Sequence, residues 1–329
     1  MPVYTTGLGS QLGVATETTY GTAVTTNRWF EFRGEGINLQ NQYLQSQQLR
    51  AGRMFTNSTR RVITVRDAAG TFDIEVPNQS FGVLLNQLHG NTVTPVQQGA
   101  TTAYLQTHDI GTTDSTAKSL TVQVGRPTTA GVVTPYTYSG GKVTGLTFAC
   151  TINEWLTANL QMDFKDEAVT TPTLATAAYP TALRGFTFVG GTLTLGGTAV
   201  AQVRAATVPL TQSMDTGRWY FGTNRKATPL LNAYQSANAT MDVDYLDQTL
   251  YAQYLSGTPA TLVLDFVGNV ISGAYSEELK ITIDQAQVVG DTPNASGPGI
   301  LTQSVPFVAL DGGTNPPVRI TYQSVDVSL

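Results

Sequence analysis

Apolar and polar residues alternate with a period of two along much of the chain, the pattern of half-buried β-strands. Residues 61–66 (RVITVR) and 71–76 (TFDIEV) alternate around Ala68-Ala69-Gly70, which predicts a hairpin. Further strands are expected at 29–32, 119–124, 143–149, 156–164, 191–195, 201–210, 261–267, 278–283 and 318–322. The helical period appears twice. Residues 78–89 place Phe81, Leu84, Leu85 and Leu88 on one face, with Asn78 as N-cap and Gly90 as the stop. Residues 247–255 repeat the scheme with Asp247 as N-cap and Gly257 as the stop. Polar stretches at 40–59, 91–115 and 215–227 read as loops, and the Thr/Ala/Pro-rich 169–180 reads as a linker.

The chain repeats itself. TFDIEVPNQSF at 71–81 matches TMDVDYLDQTL at 240–250, position for position, through a strand and into a capped helix. Upstream, residues 29–34 (WFEFRG) are similar to 185–190 (GFTFVG). Two tandem β-modules follow, 1–168 and 181–329, joined by 169–180. Each carries a short flanking helix and a long loop.

Composition narrows the function classes. Charged residues make up 12%, about half the usual ~25%. Thr and Gly are used heavily, which suits strands and turns rather than a helical bundle. A surface so poor in charge suits a chain that hides much of it in an assembly. A net charge of −5 argues against gripping nucleic acid by its phosphates. The one cysteine, Cys150, rules out an internal disulfide and a cysteine metal cluster. No apolar run is long enough to span a membrane as a helix, and the opening residues carry no secretory signal pattern.

Few residues offer chemistry. Asp73 and Glu75 lie two apart on one strand and share a face, as do Asp242 and Asp244 in the repeat. A carboxylate pair is what glycoside cleavage needs, but a polar strand face in contact with water explains the pattern as well. Arg50, Arg53, Arg60, Arg61 and Arg66 cluster without an intervening acid, and suit an acidic partner surface such as another copy of this chain. His89 stands at a helix end, where an imidazole caps carbonyls, and His108 sits beside Asp109 in a loop. Cys150 ends an apolar strand as a small buried hydrophobe. No phosphate-binding glycine loop or nucleophile elbow is present in the sequence. No catalytic, cofactor-binding or metal residue is nominated, and no enzyme activity is expected.

Several segments together resemble the major tail, or tail tube, proteins of long-tailed non-contractile phages, especially those of actinobacterial hosts. They are Gly9-Ser10-Gln11-Leu12-Gly13 with Glu17-Thr18-Thr19-Tyr20-Gly21-Thr22, the stretch 28–53, and the end, with Val305-Pro306-Phe307, Asp311-Gly312-Gly313-Thr314-Asn315-Pro316 and Ile320-Thr321-Tyr322-Gln323-Ser324. The resemblance implies a mainly β fold, here two tail-tube-like β-sandwich or barrel modules. It implies a structural subunit whose rings stack into a tube that holds the tape-measure protein and conducts double-stranded DNA. Location would be the virion tail, after assembly in the host cytoplasm, with tail terminator and baseplate proteins as further partners and no membrane anchor.

Four expectations follow. Asp73, Glu75, Asp242 and Asp244 face the lumen, where acids repel DNA. The loops 40–60 and 215–228 are arms, mobile in the free subunit, and the first carries Arg50, Arg53, Arg60 and Arg61 to a neighbour. Two modules per chain make a homotrimeric pseudo-hexameric ring, with a homohexamer as the alternative. Competing functions are a carbohydrate-binding or glycoside-cleaving β-protein, or another self-assembling virion β-protein such as a capsid decoration protein or the related tube of a type VI secretion system.

Overall fold

The computed structural model describes residues 6–128, 131–168, 173–290, 294–295 and 297–329. The first half contributes β1 (Gln11–Thr16), β2 (Arg28–Phe30), β3 (Asn38–Gln45), β4 (Arg61–Glu75), α1 (Gly82–Leu85), β5 (Tyr104–Ile110), β6 (Leu120–Pro127), β7 (Val133–Thr151) and β8 (Thr157–Phe164). The second contributes β9 (Gly191–Leu195), β10 (Val203–Thr211), β11 (Thr240–Asp244), α2 (Thr249–Ser256), β12 (Ala260–Ser272), β13 (Tyr275–Val288), β14 (Thr302–Leu310) and β15 (Val318–Ser324). The protein is mainly β, built from antiparallel sheets with two short α-helices, and no sheet closes into a barrel among the described residues.

One pairing scheme runs through the chain twice. In the first half β1 pairs with β2 and β6, β6 with β7, β7 with β8, β8 with β4, and β4 with β3. In the second, β9 pairs with the short strand Thr198–Ala199 and with β12, β12 with β13, β13 with β14, β14 with β11, and β11 with β10. The short strand Asp166–Glu167 on β7 corresponds to β15 on β13. The 71–81 and 240–250 segments therefore occupy equivalent places. The upstream match does not: 29–34 begins in β2, whereas 185–190 precedes β9, the counterpart of β1.

The halves share a sheet. β7 pairs on one edge with β8 and on the other with β10, so the central sheet runs β3-β4-β8-β7-β10-β11-β14. Its register aligns Phe72, Leu160, Leu146 and Leu210 in one row, and Ile74, Ala158, Phe148 and Val208 in the next. All eight are buried. β5 belongs to the first half by sequence but pairs with β15, which ties the halves again.

Three local expectations change. Ala68–Gly70 is no turn; β4 is one strand of 15 residues. Gly70 is there for space, because a Cβ on it would lie 2.4 Å from the Gly36 carbonyl oxygen and 2.5 Å from the Ile37 Cα. The first helix starts at Gly82, not after Asn78. Asn78 is buried, and its amide donates to Glu277 Oε1 at 2.6 Å and accepts from the Arg184 N–H at 2.9 Å. In the second helix the Asp247 carboxylate does accept the Thr249 N–H at 2.8 Å, and Gly257 closes the helix with φ 63°. Two of the predicted loops contain strands, at 38–45 and 104–110. Of the expected linker, residues 169–172 lie outside the described residues. The rest has no regular secondary structure and is tied down where Ala175 exchanges hydrogen bonds with Gln11 and Gln123.

Candidate assembly surfaces

Alternation gives the central sheet an apolar underside and a polar outer face. On that face one row reads Asp73, Asn159, Thr147, Pro209, and the next Glu75, Thr157, Ala149, Thr207, Thr240, Pro306. A third row holds Thr151, Ala205, Asp242 and Ser304. All are exposed or half-buried, and most are small. Asp73, Glu75, Asp242 and Asp244 thus lie on one face of one sheet. Asp73 accepts from the Asn159 amide at 2.6 Å, and Asp244 is paired with Arg204 at 2.6 Å. Glu75 and Asp242 make no ion pair among the described residues, so the face is net acidic.

Glycoside cleavage finds no support in this geometry. Asp73 and Glu75 are side by side on an open sheet rather than opposed across a cleft. Of each pair one acid reaches a groove, Glu75 one of about 360 Å³ near Trp155 and Glu31, and Asp244 a separate one of about 420 Å³ near Asp247, so the two members of a pair never share a cleft. The buried polar groups serve the fold. Glu17 accepts from Ser119, Thr121 and the backbone N–H groups of Gly21 and Gly140. His89 does stand at a helix end, directly after the 3-10 turn Asn86–Leu88, but its imidazole meets another ring rather than carbonyls, and His108 sits in β5, not a loop; Nε2 of His89 meets Nδ1 of His108 at 3.1 Å, both buried. Burial, with Lys118 nearby, pushes His89 down to about 4, and burial with His89 beside it pushes His108 down to about 3.

The first arm is an extension of the β3–β4 hairpin. At its base Glu35 and Arg126 form a two-point pair at 2.9 and 2.8 Å. Burial opposes the Glu35 charge, but the Arg126 pair and the Ile37 N–H overcome it and hold the carboxyl below its usual range. At the tip Leu49, Met54 and Phe55 are more than 90% exposed. Arg50, Arg53, Arg60 and Arg61 lie along it, all exposed; Arg61 stacks 4.4 Å from the Tyr43 ring centre and Arg60 bonds Gln48. Arg66, farther along, is instead paired with Asp166 at 2.7 Å.

The second arm is not free. Residues 215–228 fold back onto the first half of the chain, because their cations find buried acids there. Lys226, 3% exposed, lies between Asp67, at 2.5 Å, and Asp163. Arg225 meets Asp166 at 2.5 Å, and the Arg66 N–H donates to the Asn224 carbonyl at 3.0 Å. Burial pushes the Asp163 carboxyl up to about 6, against the pull of Lys226 and helped by Asp67. Nothing local in 215–228 announced these non-local pairs.

A family model described as phage tail tube protein matches residues 7–309. The chain belongs to that family. No curated protein sequence matches it. Its role as a tail tube protein is structural, its place is the tail of the virion, and self-assembly into a tube is the family's mode. The unpartnered polar face and the exposed arm are the surfaces such a subunit has to offer. No described helix is long and apolar enough to cross a membrane.

Proposed function

We propose that this tail tube subunit closes into a homotrimeric, pseudo-hexameric ring. In it the polar face of the central sheet lines the lumen, and the rings stack. The observation that carries the reading is the in-chain junction between β7 and β10. β10 has a partner on both edges, β7 and β11, whereas its counterpart β3 pairs with β4 alone among the described residues. A head-to-tail interface of this kind, repeated between chains, closes into a ring when the rotation allows. Closure would also remove the exposed strand edge, which is otherwise a site for unwanted pairing. Each half is then one repeating unit, with 1–168 and 181–329 as the modules and 169–180 as the connection.

Dimensions agree with a conduit. With seven strands from each chain, three chains would supply about 21 strands to the wall, more than the 16–18 that leave an aqueous channel in porins. At roughly 4.8 Å between strands, the backbone circle is at least ~32 Å across before tilt widens it. Small side chains such as Thr147, Ala149, Ala205 and Thr207 keep that bore open. Asp73, Glu75 and Asp242 give it the sign of DNA, so a duplex with one charge per ~1.7 Å is repelled from the wall rather than held. The lumen would hold the tape-measure protein during assembly in the host cytoplasm and conduct double-stranded DNA afterwards, with terminator and baseplate proteins at its ends.

End-on electron microscopy of concentrated protein, with the mass of the closed ring, tests the stoichiometry. Three chains per ring are expected; six full chains would replace this reading with a homohexamer in which the second half decorates the outside. Asp73, Glu75 and Asp242 all replaced by Lys should slow DNA ejection from assembled virions, and unchanged ejection would remove these acids from the lumen.

A further inference from the structure

We infer that residues 46–60 of one copy dock in a groove on the second half of a neighbouring copy, with Leu49, Met54 and Phe55 as apolar anchors and Arg50 and Arg53 meeting Asp114 and Asp311. This rests on the tube reading and names the contact that would join its chains.

The chain contains its own precedent. The segment after β10, residues 212–235, lies across the first half, where it covers the middle of β4 at Arg66 and Asp67, the end of β8 at Asp163, and Asp166 just beyond it. The repeat carries that footprint to the second half. Phe72 pairs with Leu160 as Met241 pairs with Val305. Counting back along β4 and β11 puts Ser236 where Asp67 stands, and counting forward along β8 and β14 puts Asp311 where Asp166 stands. Ser236 and Asp311 both line one open groove of about 510 Å³, together with Leu210, Leu231, Leu310 and Asp114. The counterpart of 212–235 is the segment between β3 and β4, the first arm.

That arm cannot fill the groove of its own chain. β3 is at one edge of the central sheet, and the groove lies by β11 and β14 at the other. A second copy brings the two together. Their surfaces match: three exposed apolar residues at the arm tip against Leu231, Tyr234 and Leu310, and two arginines against two aspartates. None of Arg50, Arg53, Asp114 and Asp311 makes an ion pair among the described residues. In the in-chain precedent the polarity is the same, with arm cations Arg225 and Lys226 on acids of the receiving half.

Charge reversal on each side tests the docking. Full-length chains with Arg50→Glu and Arg53→Glu, or with Asp114→Arg and Asp311→Arg, should need a roughly tenfold higher concentration to polymerise, read by sedimentation. The chain carrying all four changes should return to within about threefold of the unmodified protein. If the fourfold variant is no better than the twofold ones, or if the twofold variants polymerise like the unmodified chain, the docking is wrong while the tube reading stands. If the unmodified chain forms neither rings nor tubes, the tube reading itself falls. A second measurement avoids charge altogether. Phe55→Cys with Leu310→Cys, oxidised after polymerisation, should give covalently linked chains on a non-reducing gel, since Cys150 is buried and does not compete. A ladder ending at three fits the trimer; one ending at six keeps the docking and refutes the trimer. Unlinked or internally bridged monomers overturn the docking.

Discussion

Lys226 is the strongest single handle on the junction between the two halves. Its ammonium is 3% exposed and held by Asp67 and by Asp163, itself 5% exposed. Lys226→Met keeps most of the side-chain volume and removes the charge. Asp163 is then a buried carboxylate with only Asp67, a like charge, beside it. Removing one partner of a buried pair costs about 3–5 kcal/mol. The sign of the pH dependence follows from Asp163, whose carboxyl is already up at about 6 with Lys226 in place. Without the cation it rises further, the folded state holds a proton the unfolded chain releases, and stability increases as pH falls through that window. The loss should therefore be largest at pH 8 and smaller at pH 5. Urea unfolding followed by tryptophan emission reads it, because the Lys226 ammonium lies 5.5 Å from the Trp219 ring centre. Hydrogen exchange at the Arg66 amide, bonded to the Asn224 carbonyl, separates release of the segment from global unfolding. Lys226→Met with Asp163→Leu should recover most of the loss, since an apolar pair of similar volume often equals a buried ion pair. A single-variant loss below ~1 kcal/mol, or one that does not change with pH, would refute the electrostatic account.

Gly70→Ala should destabilise by about 1–3 kcal/mol in thermal or urea unfolding, because its Cβ meets backbone that can only move with the whole hairpin; a neutral result would mean the crossing of β4 and 36–37 is looser than described. His89 and His108 are held neutral, both below the ordinary 6.5, so the folded state binds fewer protons than the unfolded chain. Stability should accordingly fall as pH drops from about 6.5 through about 4. His108→Gln should flatten that acid branch of the urea midpoint, and curves parallel to the unmodified protein would refute the assignment.

What could be read from the residues was local. The alternation in 71–76 and 240–244, followed by a short helix, exposed the repeat because strand face and helix position are set by neighbours in sequence. The fold's other features come from distance. Ala68–Gly70 looks like a turn by composition, yet Gly70 is required by backbone arriving from residues 36–37. β3 escaped notice because Asn38–Gln45 is mostly exposed and polar, an edge strand without an apolar stripe. β5 escaped because two of its three buried positions, Gln106 and His108, are polar and only Ile110 is apolar, so no apolar alternation marks the strand. The four acids were legible as sharing a face, since i and i+2 must. That β7 would place both pairs on a single sheet was not, because the β7–β10 pairing joins residues far apart in sequence.

The two arms would be seated under different energetic demands. The second arm docks within its own chain, so it loses no translational freedom, and two cations on buried acids are enough to seat it. A contact between chains must also overcome an association cost of about 4–15 kcal/mol. Polar pairs alone supply little of that, since desolvation offsets much of their attraction. Apolar burial does supply it, at roughly 1.5–3 kcal/mol for each large side chain fully buried. Leu49, Met54 and Phe55 are left more than 90% exposed on the first arm, where burial against a second chain would supply it. If the first arm is the inter-chain one, truncating all three to Ala should abolish polymerisation while leaving the monomer's unfolding midpoint unchanged. The same truncation would be harmless to both if the arm merely decorates the surface.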